Sequence, residues 1–346
     1  MRAAVVHAFQ EPTTVETVPD PAAPDDGVVV EVRASGVCRS DWHAWMGHDP
    51  VIGLPHVPGH ELAGVVAAVG PGVRAFEPGD RVTVPFCCGC GRCQPCRQGD
   101  TQVCDDAYQP GFTGWGSFAQ YVALPHADLN LVRLPDELGF TEAASLGCRF
   151  MTAWAAVELH GKVRAGDWVA VHGCGGVGLA AVLIASSLGA AVVAVDLDGA
   201  KLERASALGA VHGVDANHTD VVSAIREITG GGAHVSLDAI GLAATCESSV
   251  RCLRKRGRHV QVGLLLAGEE NVSLPMDRVI SHELQVLGVH GMSVRHYGAL
   301  MRAVAQGAVG PGRLVTKTIA LAEAGAELDA MGRFAQDGMT VITEFG

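Results

Sequence analysis

The first 150 or so residues alternate short apolar runs with glycine and proline. The clearest runs are GVVVEVRAS, GVVAAVG, DRVTVPF and FAQYVAL, which are rich in β-branched residues and bounded by turn formers. Such spacing is typical of short strands joined by loops. It predicts an antiparallel, barrel-like β domain with long functional loops.

After about residue 150 the pattern changes to apolar strands that alternate with helical stretches. The strand-like runs are WVAVHG, AVVAVD, VHGVDA, HVSLDAI, HVQVG and LQVLGV, and the helix-like runs are GLAAVLIASSLG, AKLERASALGA, VVSAIREITG and ATCESSVRCLRKRG. This alternation predicts βαβ units, a parallel, doubly wound sheet and an α/β fold class. About fifty C-terminal residues leave the rhythm, so we expect a first domain at 1–150, completed by 291–346, and a second at 151–290.

Composition and charge narrow the function. The chain has 346 residues and 48% hydrophobic content, enough for the cores of two domains. A net charge of −12 argues against nucleic acid or an anionic membrane as a partner. The uncharged stretch from Trp168 to Val195 is rich in glycine and favours a buried strand–turn–helix–strand over a membrane span. The N-terminal MRAAVVHAFQ has no signal pattern, so we expect a cytoplasmic protein.

Four cysteines within fifteen residues form a C-x2-C-x2-C-x7-C run, made of Cys90, Cys93, Cys96 and Cys104. Four thiolates on so short a loop suit one closed, tetrahedral, structural zinc site. A disulfide knot is the competing interpretation, which a long chain without a signal peptide disfavours. Cys87 with Cys90, Cys93 and Cys96 is an alternative set, although a more distant fourth ligand closes a tetrahedron more easily.

A dinucleotide-binding pattern follows the strand-like run WVAVH and opens the next helix. It consists of Gly173, Cys174, Gly175, Gly176, Val177 and Gly178, and it satisfies G-x-G-x-x-G. Gly173 allows the tight turn, Gly175 lets the backbone approach a pyrophosphate, and Gly178 allows close helix–strand packing. Asp196 ends the next strand, where a carboxylate accepts hydrogen bonds from the ribose hydroxyls and repels a 2′-phosphate. The pattern therefore predicts NAD rather than NADP.

Three residues outside the cysteine run suggest a second metal site. Cys38 lies in GVCRSDWHAW, His60 in VPGHELAG and Cys148 in ASLGCRFMTAW. Taken alone, Cys148 suggests a buried core thiol and His60 a structural histidine. Together, two thiolates and one imidazole are the donor set of a catalytic zinc ion that keeps one position open.

These motifs occur in one order along the chain: C-x2-D-x2-H at Cys38–His43, GHE at 59–61, the four-cysteine run, the Cys148 segment and the glycine pattern. With these motifs in this order, the chain resembles a zinc-dependent alcohol dehydrogenase of the medium-chain dehydrogenase/reductase family. The resemblance implies a GroES-like domain, a Rossmann domain and a catalytic zinc in the cleft between them. It also implies NAD, two zinc ions per chain, a small alcohol, aldehyde or ketone as substrate, and a homodimer or homotetramer.

The resemblance implies roles for further residues. Ser40 would hand on the alcohol proton, and His43 would form the outer end of that relay. Asp41 would orient the histidine ligand, whereas Glu61 would either become a transient metal ligand or tune the field at the metal. The other implied positions are Thr152, which would contact the nicotinamide, and Phe86, which would form an aromatic wall of the substrate pocket.

Some features depart from the family, and other functions compete. No arginine follows Arg333, although many relatives place a pyrophosphate-binding arginine near the C-terminus, and His290 stands where relatives more often carry a small residue. A polyol or amino-alcohol dehydrogenase is disfavoured because such relatives often carry glutamate where Cys148 stands. A zinc-free enone or quinone reductase would lack the metal set, and a non-catalytic NAD- or redox-sensing homologue would have no need of the relay residues.

Overall fold

The computed structural model describes residues 1–265, 270–333 and 338–346. Its strands are β1 Arg2–Val5, β2 Thr14–Thr17, β3 Val28–Val37, β4 Glu61–Val69, β5 Arg81–Thr83, β6 Tyr121–Leu124, β7 Val132–Arg133, β8 Trp168–His172, β9 Ala191–Asp196, β10 Ala210–Asp215, β11 Ala233–Asp238, β12 Leu253–Gln261, β13 Gln285–Gly288, β14 Val315–Ala320 and β15 Met339–Glu344. Its helices are α1 Arg39–Trp45, α2 Gln94–Gln98, α3 Ala127–Asn130, α4 Phe140–Ser145, α5 Met151–Trp154, α6 Gly176–Ser187, α7 Gly199–Ala207, α8 Val221–Ile228, α9 Ala243–Arg251, α10 Met276–Ser281, α11 Tyr297–Ala305 and α12 Ala324–Met331. The chain divides into two compact units, Met1–Met151 with Gly291–Gly346, and Thr152–His290.

The first unit is built on a seven-stranded sheet. The order is β14-β15-β3-β4-β5-β7, and β6 pairs with β3. All pairs in this sheet are antiparallel except β14 with β15, so the structure confirms the predicted antiparallel β domain. The apolar side chains of β3 and β4 pack with Phe118 and Leu124 in one buried core. Because β15 pairs with β3, the C-terminal segment is part of this sheet.

The second unit is a six-stranded, fully parallel sheet of order β10-β9-β8-β11-β12-β13. Numbered from β8, that order is 3-2-1-4-5-6, the doubly wound arrangement whose direction reverses between its first and fourth strands. The structure therefore confirms the predicted parallel sheet. The uncharged stretch Trp168–Val195 folds as β8, α6 and most of β9, and no helix in the described ranges is long and apolar enough to cross a bilayer.

One helix–strand boundary differs from the prediction. The run ATCESSVRCLRKRG reads as helical, but α9 ends at Arg251 and β12 begins at Leu253. Leu253 is fully buried and pairs with Ala233 of β11, while Arg254, Lys255 and Arg256 are exposed. The strand starts early because one apolar side chain anchors it in the core, and the basic residues that follow suggest a helix only by their propensity.

Gly178 has a packing role that can be tested. A Cβ built on Gly178 would lie 1.7 Å from the carbonyl oxygen of Gly173, whereas one built on Gly175, in the same turn, would have nothing within 4 Å. We expect Gly178→Ala to lower the free energy of unfolding by about 3 kcal/mol, since backbone must move to admit the methyl group. Gly175→Ala is the matched control and should leave stability within about 1 kcal/mol. Urea unfolding followed by tryptophan fluorescence measures both, and equal stability of the two variants would contradict the packing argument.

Candidate active site

Asp41 organises the first part of the site. It lies in the first turn of α1 and is fully buried. Its Oδ2 accepts a hydrogen bond from the backbone N–H of Cys38 at 2.9 Å. Its Oδ1 accepts from the backbone N–H of Gly59 at 3.0 Å and from Nδ1 of His60 at 2.9 Å. One carboxylate therefore joins the start of α1 to the segment that enters β4.

His60 presents one nitrogen to the site. The ring is fully buried, and its Nδ1 donates to Asp41. In a neutral imidazole this bond leaves Nε2 as the unprotonated nitrogen. Nε2 is buried and has no hydrogen-bond partner among the described residues. A buried polar atom without a partner is costly, so Nε2 is a nitrogen that a ligand would satisfy.

A backbone kink places Cys148. Gly147, just before it, has φ −60° and ψ −150°, which interrupts the helical backbone. A Cβ on Gly147 would lie 2.6 Å from Cβ and Cγ of Glu61, so only glycine lets the two segments approach this closely. The kink brings the Cys148 sulfur to Cys38, His60 and Glu61, and one donor atom of each lies within 4.8 Å of the others.

The pKa values of the two thiols in this group shift in opposite directions. The hydrogen bond from Cys148, helped by His60 and opposed by burial, holds the pKa of Cys38 well below its ordinary value. The same bond, together with burial, raises the pKa of Cys148 well above its ordinary value. A divalent cation would favour both thiolates by displacing the remaining proton. Two thiolates and an unpartnered imidazole nitrogen are donors that fit zinc.

Glu61 is held in a buried ion pair with Arg149. The Arg149 backbone N–H and Nε donate to Oε1 of Glu61 at 3.0 and 3.1 Å, and its Nη2 donates to Oε2. Both side chains are almost fully buried. Burial raises the pKa of Glu61, while Arg149 opposes that rise. Both oxygens of Glu61 are therefore already engaged by a cation beside the donor group.

The cysteine run forms a separate group. Sulfur atoms of Cys90, Cys93, Cys96 and Cys104 all lie within 4.8 Å of one another. Backbone N–H groups of Arg92 and Cys93 lower the pKa of Cys90 to about 6, which favours a thiolate there. Cys87 lies outside the group: its buried sulfur accepts from Nε2 of Gln109 at 3.3 Å. Four convergent thiols fit a closed zinc site.

The residues expected to move protons lie on α1. The Ser40 hydroxyl is 3.9 Å from the sulfur of Cys38. His43 is half-buried, and its Nδ1 hydrogen-bonds Nδ1 of His48 at 3.0 Å. Burial, together with Arg39 and His48, lowers the pKa of His43 to about 4. His43 is therefore neutral at physiological pH.

Two aromatic rings stand against His60. Phe86 meets the His60 ring edge-on at a centroid distance of 6.0 Å, and Phe112 does so at 5.3 Å. Phe112 packs with Ala44 and Ile52 in a small buried cluster. Two apolar rings therefore contact the imidazole of the donor group.

The dinucleotide pattern forms a turn in the second unit. Gly173 has φ +92°, a conformation that favours glycine, and Gly175 precedes α6. The Asp196 carboxylate accepts from the backbone N–H of Cys174 at 2.7 Å, Leu197 at 2.8 Å and Asp198 at 3.1 Å. The end of β9 is thereby fixed to the glycine turn. Thr152 begins this unit and is buried, and His290 ends it and is exposed.

Sequence reasoning missed two residues of the site. Arg149 directly follows Cys148 in a largely apolar stretch, and a charge there signals a buried partner. Phe112 lies in a glycine-rich loop, GFTGWG, and nothing in that pattern indicates that its ring contacts His60.

The chain matches known proteins in both halves. Residues 24–136 match the alcohol dehydrogenase GroES-like domain, and residues 176–306 match the zinc-binding dehydrogenase domain. It is 38% identical to an alcohol dehydrogenase of Geobacillus stearothermophilus over 83% of this chain and 84% of that protein. It is 32% identical to an NAD-dependent alcohol dehydrogenase of Sulfurisphaera tokodaii over 99% of each chain.

The fold agrees with this similarity. The solved structure of an alcohol dehydrogenase from Thermus sp. ATN1 superposes with a TM-score of 0.92 at 31% identity, covering 99% of this chain and 100% of that one. The chain belongs to the zinc-dependent alcohol dehydrogenases of the medium-chain dehydrogenase/reductase family and is an oxidoreductase.

Proposed function

We propose that this protein is an NAD-dependent alcohol dehydrogenase that holds two zinc ions per chain, one catalytic and one structural. It oxidises a small alcohol to an aldehyde or ketone by hydride transfer to the nicotinamide, and it reduces the carbonyl in the reverse direction. One observation carries the proposal: Cys38, Cys148 and the unpartnered Nε2 of His60 converge in one group, in which Cys38 and His60 are buried.

Cys38, His60 and Cys148 would hold the catalytic zinc, which when bound acts as a Lewis acid towards the substrate oxygen. Asp41 keeps the proton of His60 on Nδ1 and so keeps Nε2 available as a ligand. Cys90, Cys93, Cys96 and Cys104 would hold the structural zinc.

Ser40 and His43 would move the proton of the alcohol. The Ser40 hydroxyl can both accept and donate a hydrogen bond, and it stands beside Cys38 at the donor group. His43 is kept neutral, so it can accept a proton and pass one on without carrying a lasting charge. Phe86, and with it Phe112, would wall the substrate pocket against water.

Glu61 would act on the metal site through its charge and not as a ligand. Arg149 engages both oxygens of Glu61, and leaving that pair would strand a buried guanidinium. A zinc ion with two thiolates is formally neutral, and the Glu61–Arg149 pair is neutral as well. The pair would therefore leave the net charge behind the ligands unchanged, and the Glu61 carboxylate would act on the metal site only through its local field.

The second unit would bind NAD. Gly175, Gly176 and Val177 would face the pyrophosphate with backbone N–H groups, Gly173 and Gly178 would shape the turn, and Thr152 would contact the nicotinamide. Asp196 would bind the adenosine ribose and repel a 2′-phosphate. The name of the Sulfurisphaera tokodaii relative supports the choice of NAD.

A direct assay of NADH formation and consumption tests the proposal. Zinc-loaded protein with a panel of primary and secondary alcohols should produce NADH in proportion to enzyme, and aldehydes or ketones should consume it. Protein that binds zinc and NAD but transfers no hydride with any member of the panel would favour the sensor hypothesis instead.

Loss of Cys148 should remove one zinc ion only. We expect Cys148→Ala to lower the bound zinc from two ions per chain to one and to abolish turnover. Cys246→Ala removes a buried thiol outside both donor groups and should keep both ions. Elemental analysis beside the assay measures this, and a Cys148→Ala protein with full zinc and full activity refutes the ligand assignment.

Charge at Asp196 should set the cofactor preference. Replacing Asp196 with Ser should raise the ratio of kcat/KM for NADP to that for NAD about tenfold, or about 1.4 kcal/mol, since repulsion of the 2′-phosphate is lost. Asp198→Asn removes a charge two residues away while keeping a side chain that can cap α7, and it should leave the ratio nearly unchanged. A preference for NADP in the unaltered protein would show that the ribose argument is wrong.

Removal of one partner of the buried ion pair should be costly. We expect Arg149→Met to lower the free energy of unfolding by about 3–5 kcal/mol, because the Glu61 carboxylate is left uncompensated. The double variant with Glu61→Gln should recover much of this loss. Arg33→Met breaks an exposed pair with Glu31 and should cost at most about 1 kcal/mol. Urea unfolding of the zinc-loaded proteins makes the comparison, and similar losses for Arg149→Met and Arg33→Met would contradict the argument.

A further inference from the structure

A second histidine stands next to His43 because of how α1 ends. The backbone N–H of His48 donates to the carbonyl of His43 at 3.0 Å, and that of Gly47 donates to Ala44 at 3.0 Å. Gly47 has φ +78°. This is the Schellman arrangement, in which the chain reverses at a left-handed glycine and places the residue after it over the last turn. In this motif an apolar contact usually joins the residue after the glycine to the last turn of the helix. Here the two residues at those positions are His48 and His43, so the contact is between two imidazoles.

The two rings are held in a defined geometry. Nδ1 of His43 and Nδ1 of His48 are 3.0 Å apart. Trp42 meets the His43 ring edge-on at 4.9 Å and the His48 ring at 5.6 Å. The Arg39 guanidinium lies 4.4 Å from the Trp42 ring, and its Nη1 donates to the carbonyl of Met331 at 2.8 Å. Trp42 and Arg39 therefore hold the two imidazoles in place, and the hydrogen bond between His43 and His48 is part of the folded structure.

The two histidines of the pair differ in their exposure to solvent. His43 is half-buried, whereas His48 is exposed to solvent. The charged groups that act on His43 are Arg39 and His48, which disfavour its protonation, and Cys38, which favours it. A proton that reaches His43 is therefore unstable there and has an exposed imidazole within hydrogen-bond distance.

We propose that His48 extends the proton path of this enzyme from His43 to solvent. In the neutral pair one Nδ1 donates and the other accepts. During alcohol oxidation a proton arrives at Nε2 of His43, the Nδ1 proton of His43 passes to Nδ1 of His48, and the Nε2 proton of His48 leaves to water. One proton enters and one leaves, so the pair stays neutral overall. Carbonyl reduction runs the same transfers backwards.

This inference rests on the proposed function, because the proton comes from the alcohol through Ser40. It adds a residue that acts through His43 and that touches neither substrate nor cofactor. The competing interpretation is that His48 only caps α1. The two are separable because the cap is made by the backbone N–H of His48, which any residue except proline supplies.

The test compares His48→Ala, His48→Gln and His7→Ala in the zinc-loaded enzyme. His7 is an exposed histidine of the same unit that pairs with Glu16, so it is the matched control. Stopped-flow measurement with a pH indicator follows proton release in the first turnover, and steady-state kinetics give kcat and KM across pH. Both are run at low buffer concentration and with added imidazole.

For His48→Ala we expect proton release and kcat to fall about tenfold at low buffer with KM little changed, a smaller effect than that of a primary general base because water partly substitutes. Added imidazole should restore the rate in a saturable way. His48→Gln should be equally slow, since its amide keeps a hydrogen bond but relays no proton. His7→Ala should behave as wild type.

Two results would overturn the relay while leaving the proposed function intact. One is wild-type proton release in His48→Ala or His48→Gln at low buffer. The other is a slow His48→Ala enzyme that imidazole does not restore. If the unaltered enzyme oxidises no alcohol, the proposed function fails first, and the relay fails with it.

Discussion

The buried carboxylate of Asp41 is the constraint on which the geometry of the proposed metal site depends. A carboxylate with no exposed surface is tolerated only where hydrogen bonds replace its hydration, and Asp41 accepts three, from Cys38, Gly59 and His60. Two of these donors are backbone N–H groups from separate segments. The same residue thus fixes the start of α1, the entry to β4 and the tautomer of His60, so that fold and ligand geometry are set by one side chain.

A second buried carboxylate, Glu61, lies beside the donor group and is paired with Arg149. Glycine is needed at the two positions where the backbone packs against Glu61. Glu61 approaches the backbone so closely that a Cβ on Gly36 would lie 2.3 Å from its Oε2, and one on Gly147 would lie 2.6 Å from its Cβ. Arg149 then neutralises the carboxylate. A buried ion pair and the apolar rings of Phe86 and Phe112 thus both lie beside the cysteines and the histidine.

The two units contribute different candidate site residues, and these residues stand on different kinds of backbone. The first unit, mostly antiparallel, offers loops and short helices between strands, and its donors come from three such places: the start of α1, the entry to β4 and the kink before α5. The parallel unit offers strand ends that meet at one edge, where the turn of Gly173 is fastened to Asp196 through Cys174. The proposed proton path lies in the first unit, where α1 carries Ser40 and His43.

Cys38, His60 and Cys148 were grouped by their donor chemistry and by the resemblance to the family, whereas local pattern was enough to predict the two sheet types, the glycine turn and the four-cysteine group. These depend on spacing, side-chain chemistry and alternation, which are properties of short segments. Only the tertiary structure decided which residues contact one another across long stretches of the chain. Arg149 and Glu61 are 88 positions apart, Phe112 reaches His60 from an irregular loop, and the early start of β12 follows from the burial of Leu253. The contact of His48 with His43 follows from the local turn at Gly47 that ends α1. The anchoring of the neighbouring Arg39 to Met331 depends on tertiary packing, because the two residues are 292 positions apart and no short-range pattern brings them together.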